Sequence, residues 1–416
     1  MTLALRDGRL TDLSVLQSPP LARALALLNA DGEEARLVGG AVRDLLLGET
    51  PGDFDIATTA TPEIVMARAK AAGVAFAPTG VEHGTVTLIL EGATIETTSL
   101  REDIETDGRR AKVRFGRDFV ADAMRRDFTL NALSLDAQGF VHDYVGGLAD
   151  LAASRVRFIG EARQRIREDF LRILRFLRFS ARFGDGALDP AGLSAAIAER
   201  AGLATLSAER VRAEIMKVLV ALRGSYVLGV AEGAGLLGPT LGGIAYPARL
   251  ARLAQIEPSG DAALRLSALA VVVREDAERL REKLRLSNAE GDRLGAAARG
   301  LESLHGLTAP PSLGDLRIAL FERGRTAARD AVLLAHADSG VAMNDLRWLA
   351  AHRFLADTPE PRLPFTGAEL LARGLPQGRQ VGAALKVLQA KWIRAGFPRE
   401  PERLAQLLAQ ALEEIG

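Results

Sequence analysis

The sequence predicts an α+β chain: a small N-terminal head of mixed sheet and helices, followed by an elongated all-α neck, body and tail. Residues 35–99 alternate short apolar runs with helical patterns. Beyond residue 185 nearly every stretch carries helical periodicity. Proline-bearing breaks near 256–260, 307–313 and 357–364 divide that portion, and no fixed-period repeat runs through it. The expected segments are a head over 1–150, a neck over 151–225, a body over 226–310 and a tail over 311–416.

Each element of the head has a local reason. "EARLVGG" reads as a strand entering a Gly-Gly turn, and "AVRDLLLG" as a short helix closed by Gly48. "FDIATTA" is a second strand. "TPEIVMARAKAAG" is a helix with Thr61 as N-cap and Pro62 at its first position. "GTVTLIL" and "ATIETTSL" alternate with period two around "EGA", which predicts a hairpin. Residues 101–117 read as a polar loop. "RRDFTLNAL" (125–133) reads as core helix with unusual charge, and a second hairpin follows in "ALSLDAQGFVHDYVG". A long Arg-rich helical region begins at about residue 161.

Composition narrows the function classes. The 416 residues carry 53 basic and 53 acidic side chains, so any basic surface must be local. A modest basic excess lies between residues 101 and 183. The sequence has no cysteine, which excludes disulfides, thiolate nucleophiles and thiolate zinc sites and suits a reducing cytosol. The five histidines (His83, His142, His305, His336 and His352) are scattered, which argues against a histidine-rich metal cluster. No uncharged apolar run approaches ~20 residues, and no leader pattern opens the chain. A soluble cytoplasmic protein without membrane association is expected.

"GGAVRDLLLGETPGDFD" (39–55) concentrates the chemistry. Asp53 and Asp55 flank Phe54 on an expected strand, which would put both carboxylates on one face. Two such carboxylates repel unless a cation lies between them, and hard oxygen ligands suit Mg²⁺. Two solvated aspartates after a Pro-Gly turn are the plain alternative. Gly39-Gly40 sits where a strand meets a helix N-terminus, whose free amides favour phosphate. Arg43, one turn into the helix, can add a charge-assisted contact to the same phosphate.

A phosphate cradle followed by a metal-binding strand resembles the DNA polymerase beta nucleotidyltransferase superfamily. More closely, the chain resembles class II CCA-adding tRNA nucleotidyltransferases and their bacterial poly(A) polymerase relatives. The matching stretches come in the family's order over roughly residues 35–220. They are "LVGGAVRDLLLG", "DFDIAT", "RRDFTLNALSLD", "DYVGGLADL", "IGEARQRIREDFLRILRFLRFSARF" and "LSAERVRAEIMKVL". "FTGAELLARGLPQGRQVGAAL" (365–385) is a weaker match to the family's C-terminal region.

The resemblance implies template-independent addition of CCA to the tRNA 3′ end from CTP and ATP, with pyrophosphate as leaving group. Asp53 and Asp55 would hold two Mg²⁺ ions ~3.5–4 Å apart. Glu96 is a candidate third carboxylate, though an exposed strand glutamate is the plainer reading. Arg126 would bind the triphosphate, while Asp127 and Asn131 would order the ribose or hold the arginine. In "EDFLRILRFLRFSARF", Asp169, Arg172, Arg175 and Arg178 recur every three residues and would spiral around one helix. Phe170 stands where the family commonly has proline or a small residue.

Asp169 and Arg172 would act as a protein template. Cytosine and adenine each present an exocyclic amine beside a ring-nitrogen acceptor, which a carboxylate and a guanidinium complement. Uracil and guanine present a carbonyl and a ring N–H there, leaving buried charge unsatisfied. Arg175 and Arg178 would contact phosphates or RNA. Residues 100–116 resemble the family's flexible loop, associated with adding the terminal A, and the tail would bind tRNA. Oligomeric state is not read from the sequence. A poly(A) polymerase is a rival, disfavoured by the acidic C-terminal "LAQLLAQALEEIG". A non-catalytic RNA-binding helical protein is disfavoured by the intact Asp53/Asp55 pair.

Overall fold

The structure is a computed structural model describing residues 3–107 and 110–415. The chain divides into two compact units, residues 1–240 and 241–416.

The first unit is built on a seven-stranded mixed sheet. A small hairpin, β1 (Leu5–Arg6) and β2 (Arg9–Leu10), precedes it. The sheet strands are β3 (Ala35–Val38), β4 (Phe54–Thr58), β5 (Ala75–Gly80), β6 (Thr85–Leu90), β7 (Ala93–Ser99), β10 (Ser134–Leu135) and β11 (Val141–His142), in the order β11-β10-β3-β4-β7-β6-β5. β8 (Arg101–Asp107) and β9 (Arg110–Phe115) form a separate antiparallel pair. Among the described residues only β4 and β7 pair in parallel, with Asp55 opposite Glu96. The crossover between them contains α3 (Pro62–Ala71), which starts after Thr61 with Pro62 first. β6 and β7 close through Glu91 and Gly92, both at positive φ, the conformation that a tight hairpin requires.

Helices α1 (Pro19–Leu28), α2 (Gly40–Leu46), α4 (Phe119–Arg125) and α5 (Gly147–Ala152) complete the head. α6 (Ala162–Glu168), α7 (Leu171–Phe183), α8 (Pro190–Ala198), α9 (Ala208–Val220) and α10 (Gly224–Gly233) follow. α7 buries Ile173, Leu174, Phe176 and Leu177 and turns its arginines the other way, as an amphipathic stripe should. Phe128, Phe158, Phe176 and Phe179 pack as an aromatic cluster, with Phe128 4.8 Å from Phe158 and 5.2 Å from Phe179. Burying each ring is worth about 1.5–3 kcal/mol, which fixes α7 against the head.

α11 (Leu237–Leu241) lies where one unit gives way to the next. The second unit is helical: α12 (Pro247–Ile256), α13 (Ala262–Ala270), α14 (Arg274–Lys283), α15 (Asn288–Leu304), α16 (Leu313–Asp338), α17 (Leu346–Asp357), α18 (Gly367–Ala372), α19 (Arg379–Arg394) and α20 (Pro401–Ile415). All three proline-bearing breaks fall between helices. Trp392 is core, 2% exposed, with its indole N–H bonded to Pro398 O at 2.8 Å.

Several local expectations need correction. Arg101–Asp107 and Arg110–Phe115 are paired antiparallel strands rather than loop. Residues 108 and 109 of the expected loop lie outside the described residues. Asp53 precedes β4 instead of sharing it. The helix expected through 125–133 ends at Arg125, and only a short 3₁₀ turn follows at Thr129–Asn131. "DAALRLSALAVVVREDAERLREKL" breaks between α13 and α14, where Val271 and Val273 are extended and Asp276 accepts from the Val272 and Val273 amides. The Arg-rich region also splits, because Asp169 is extended (φ −156°, ψ 107°) between α6 and α7.

Candidate active site

One cleft of about 670 Å³ in the first unit brings together all the anticipated site residues except Asp53. Gly39, Gly40, Arg43, Asp55, Arg126, Asp127, Asp169, Arg172, Arg175 and Arg178 all line it. Its sheet wall comes from β3, β4 and β7, and its helical wall from α7 and the start of α9.

On the sheet wall, β3 runs into Gly39 (φ 71°, ψ −129°), and α2 begins at Gly40. Glycine serves space here as well as conformation. A methyl on Gly39 would sit 3.1 Å from Arg126 Nη1, so that guanidinium lies over the turn. Asp55 and Glu96 face each other across the parallel register. Asp55 reaches water, but the surrounding protein removes enough solvent to push its pKa up, and the nearby Asp53 adds to this against the pull of Arg126. Glu96 is pushed up by burial and then by Asp55. Among the described residues no ion pair neutralises Asp55 or Glu96. This is a charge-deficient pair of hard oxygen donors, and a divalent cation fits it. Asp53 is exposed just before the strand, and its charge adds to the rise at Asp55. Among the described residues no group of three His, Cys, Asp or Glu side chains forms a ready metal cage.

The rest of the cleft is lined by arginines that already have partners. Arg43 is buried and donates through Nε and Nη2 to Asp44 and through Nη1 to Asn131 Oδ1 at 2.6 Å. Its guanidinium stacks on Phe183, 4.1 Å from the centroid. Asn131 in turn donates to Asp127 Oδ1, whose other oxygen accepts from Arg175 Nε at 2.7 Å. Asp127 and Asn131 therefore hold arginines here. Arg126 Nε donates to Asp122 Oδ2 at 3.0 Å, and Arg125 pairs with the same buried carboxylate. Burial raises the pKa of Asp122, but Arg126 and Arg125 outweigh it and hold the group below the usual range. Arg178 pairs with Glu214 of α9 at 2.6 Å.

The proposed template residues are held separately. Asp169 Oδ1 accepts from the Leu171 amide at 3.0 Å and Oδ2 from Arg210 Nη2 at 2.7 Å. Arg172 donates from Nη1 to Arg165 O at 2.8 Å and to Glu168 Oε2 at 2.5 Å. A carboxylate has about four acceptor sites and a guanidinium five donors, so each can still meet a base edge.

The sequence reading missed Asp122, Glu168, Arg182 and Arg210. Asp122 was findable, since Asp122 with Arg125 and Arg126 has the i,i+3 and i,i+4 spacing of helix ion pairs. Arg210 lies within a recognised motif, but only the fold brings it to Asp169.

Glycine turn, acidic strand pair and arginine wall on a mixed sheet define a nucleotidyltransferase head. Residues 35–157 match the family described as the Poly A polymerase head domain. The chain is 33% identical over 391 residues to the mouse mitochondrial CCA tRNA nucleotidyltransferase 1, covering 91% of this chain and 87% of that one. It is 30% identical over 402 residues to the CCA-adding enzyme of Limosilactobacillus fermentum, covering 95% and 97%. Among solved structures it matches the Bacillus stearothermophilus CCA-adding enzyme in complex with CTP, with TM-score 0.74, 29% identity and coverage of 95% and 99%. The chain belongs to the CCA-adding tRNA nucleotidyltransferase family.

Proposed function

We propose that Asp53 and Asp55 carry the chemistry and Asp169 and Arg172 the base choice of a CCA-adding enzyme. The enzyme adds CCA to the 3′ end of tRNA from CTP and ATP without a nucleic-acid template. In each step the tRNA 3′ oxygen bonds to the α-phosphorus, the bond to the β-phosphate breaks, and pyrophosphate leaves. The observation that carries the assignment is the cleft itself, where the Asp55–Glu96 edge faces a wall of arginines.

Asp53 and Asp55 would hold Mg²⁺, which supplies charge neutralisation at the triphosphate and acidifies the attacking hydroxyl. The Gly39–Gly40 turn, Arg43 and Arg126 orient the triphosphate. Asp127 holds Arg175, and Glu214 holds Arg178, at the position of the phosphates or RNA. Asp169 accepts from the exocyclic amine of cytosine or adenine, and Arg172 donates to the ring nitrogen. UTP and GTP are refused because both contacts would be mismatched.

We assign catalysis to residues 1–150 and nucleotide selection to 151–225, and the helical segments 226–310 and 311–416 to support and tRNA binding. No helix among the described residues is long and apolar enough to cross a membrane. A cytoplasmic location is proposed on the cysteine-free composition. The assay is incubation of tRNA transcripts lacking CCA with CTP, ATP or both. Two added nucleotides with CTP alone and three with both are expected. Long A-tracts with ATP alone would reject the assignment.

A further inference from the structure

The break between α6 and α7 is held by a contact that leaves no room for a Cβ unless Phe170 moves. The Phe170 side chain lies directly against Gly202, in the 3₁₀ turn that follows α8. A methyl built on Gly202 would stand 2.0 Å from Phe170 Cδ1 and 2.3 Å from both Cε1 and Cγ. Gly202 is buried and not among the glycines at positive φ, so its backbone would accept alanine; the constraint is space alone. Because Cγ itself is in collision, turning the ring about its own axis does not clear the clash. The Phe170 side chain or its backbone must move. The same surface seats α7 once more, where a methyl on Gly192 would meet Phe176 Cε2 and Cζ at 2.9 Å.

Phe170 sits between the two residues assigned to read the base. Asp169 Oδ1 accepts from the Leu171 amide, Asp169 O from the Arg172 amide at 3.0 Å, and Phe170 O from the Ile173 amide at 3.1 Å. Residues 169–173 thus form one hydrogen-bonded turn, and a backbone shift at Phe170 displaces Asp169 and Arg172 together. The floor is tied down in its turn, since the Gly202 amide donates to Glu199 O and Arg163 and Arg167 of α6 donate to the Glu199 carboxylate.

We propose that Gly202 and Phe170 form a seat that positions the Asp169–Arg172 pair, making both positioning residues for base selection. The inference rests on the reading of that pair as a protein template. The test compares full-length wild type, Gly202→Ala, Gly202→Ala/Phe170→Ala, Phe170→Trp and Asp169→Ala on a tRNA transcript lacking CCA. It reads KM and kcat for CTP, the UTP-to-CTP incorporation ratio under single turnover, and the melting temperature.

Gly202→Ala should raise KM for CTP and increase the UTP-to-CTP ratio by about tenfold, a small displacement being enough to cost that much. Removing the ring in the double variant relieves the collision but empties the seat, so the ratio should fall below that of Gly202→Ala and stay above wild type. If Gly202→Ala does not fold, Phe170→Trp overfills the same seat and should shift the ratio in the same direction. A ratio that stays at the wild-type value in Gly202→Ala and Phe170→Trp, with loss confined to kcat or melting temperature, would overturn the seat while Asp169→Ala still alters it. A double variant no better than Gly202→Ala would also overturn it. An unchanged ratio in Asp169→Ala would overturn the template reading itself, and the seat with it.

Discussion

The two walls of the cleft handle charge in opposite ways. On the sheet wall, Asp55 and Glu96 face each other and burial pushes both pKa values up. On the helical wall Arg175, Arg178 and Arg172 are matched to Asp127, Glu214 and Glu168. A strand pair short of positive charge fits a cation, and in the proposed function its loss removes chemistry. On the helical wall the charges are already matched, and in the proposed function it is the loss of Asp169 or Arg172 that changes which base is held.

The largest effect belongs to the sheet wall. Asp53→Ala or Asp55→Ala should lower incorporation of C and A alike by about 10²–10³-fold, the range seen when a group stabilising transition-state charge is removed. Both sites are exposed, so the fold should change by no more than about 0.5 kcal/mol. Radiolabelled nucleotide incorporation and thermal melting check this pair of outcomes.

A next step isolates one nucleotide. The β8–β9 pair carries none of the residues assigned to the metal, the triphosphate or the base. Replacing residues 103–110 with a short Gly-Ser linker should leave CC addition near normal and stop the product one nucleotide short. Gel-resolved product lengths decide it. Terminal A addition at the wild-type rate would remove the β8–β9 pair from the account.

On the helical wall, Asp169→Ala or Arg172→Ala should relax base choice by about tenfold to a hundredfold, one lost pairing group being worth ~1–3 kcal/mol. Misincorporation of UTP and GTP against CTP and ATP is the readout.

The smallest effect on activity belongs to a carboxylate outside the cleft. Asp150 is fully buried and accepts from Thr129 Oγ1 at 2.7 Å, Arg155 Nε at 2.7 Å and Arg157 Nε at 2.9 Å. Burial raises its pKa, but those donors outweigh burial and hold it below the usual range. Asp150→Ala should cost about 1–3 kcal/mol of stability and leave activity per folded molecule unchanged. A depressed folded pKa means the contribution is complete above the unfolded value of ~3.9 and is lost as pH falls through the folded one. The melting-temperature gap between wild type and variant should therefore close on acidification.

What the sequence disclosed follows from how local the signals are. The strand–Gly39-Gly40–α2 unit, the β6–β7 hairpin and the Thr61-Pro62 helix start are each written in one short stretch of chain. The break at Asp169 was hidden because apolar periodicity runs through it, while Asp169 itself turns to accept from the Leu171 amide. The pairing of β8 with β9 was hidden by the polarity of both strands. Partnerships such as Arg178–Glu214 and Arg210–Asp169 span 36 and 41 residues, and no local pattern encodes them.

Single-turnover incorporation of CTP and UTP by Asp55→Ala and Arg172→Ala, each against wild type, tests the division between the walls most directly. Asp55→Ala should depress both nucleotides equally and leave their ratio at the wild-type value, while Arg172→Ala should shift the ratio toward UTP. A shifted ratio in Asp55→Ala, or an equal loss of both nucleotides in Arg172→Ala, would contradict it.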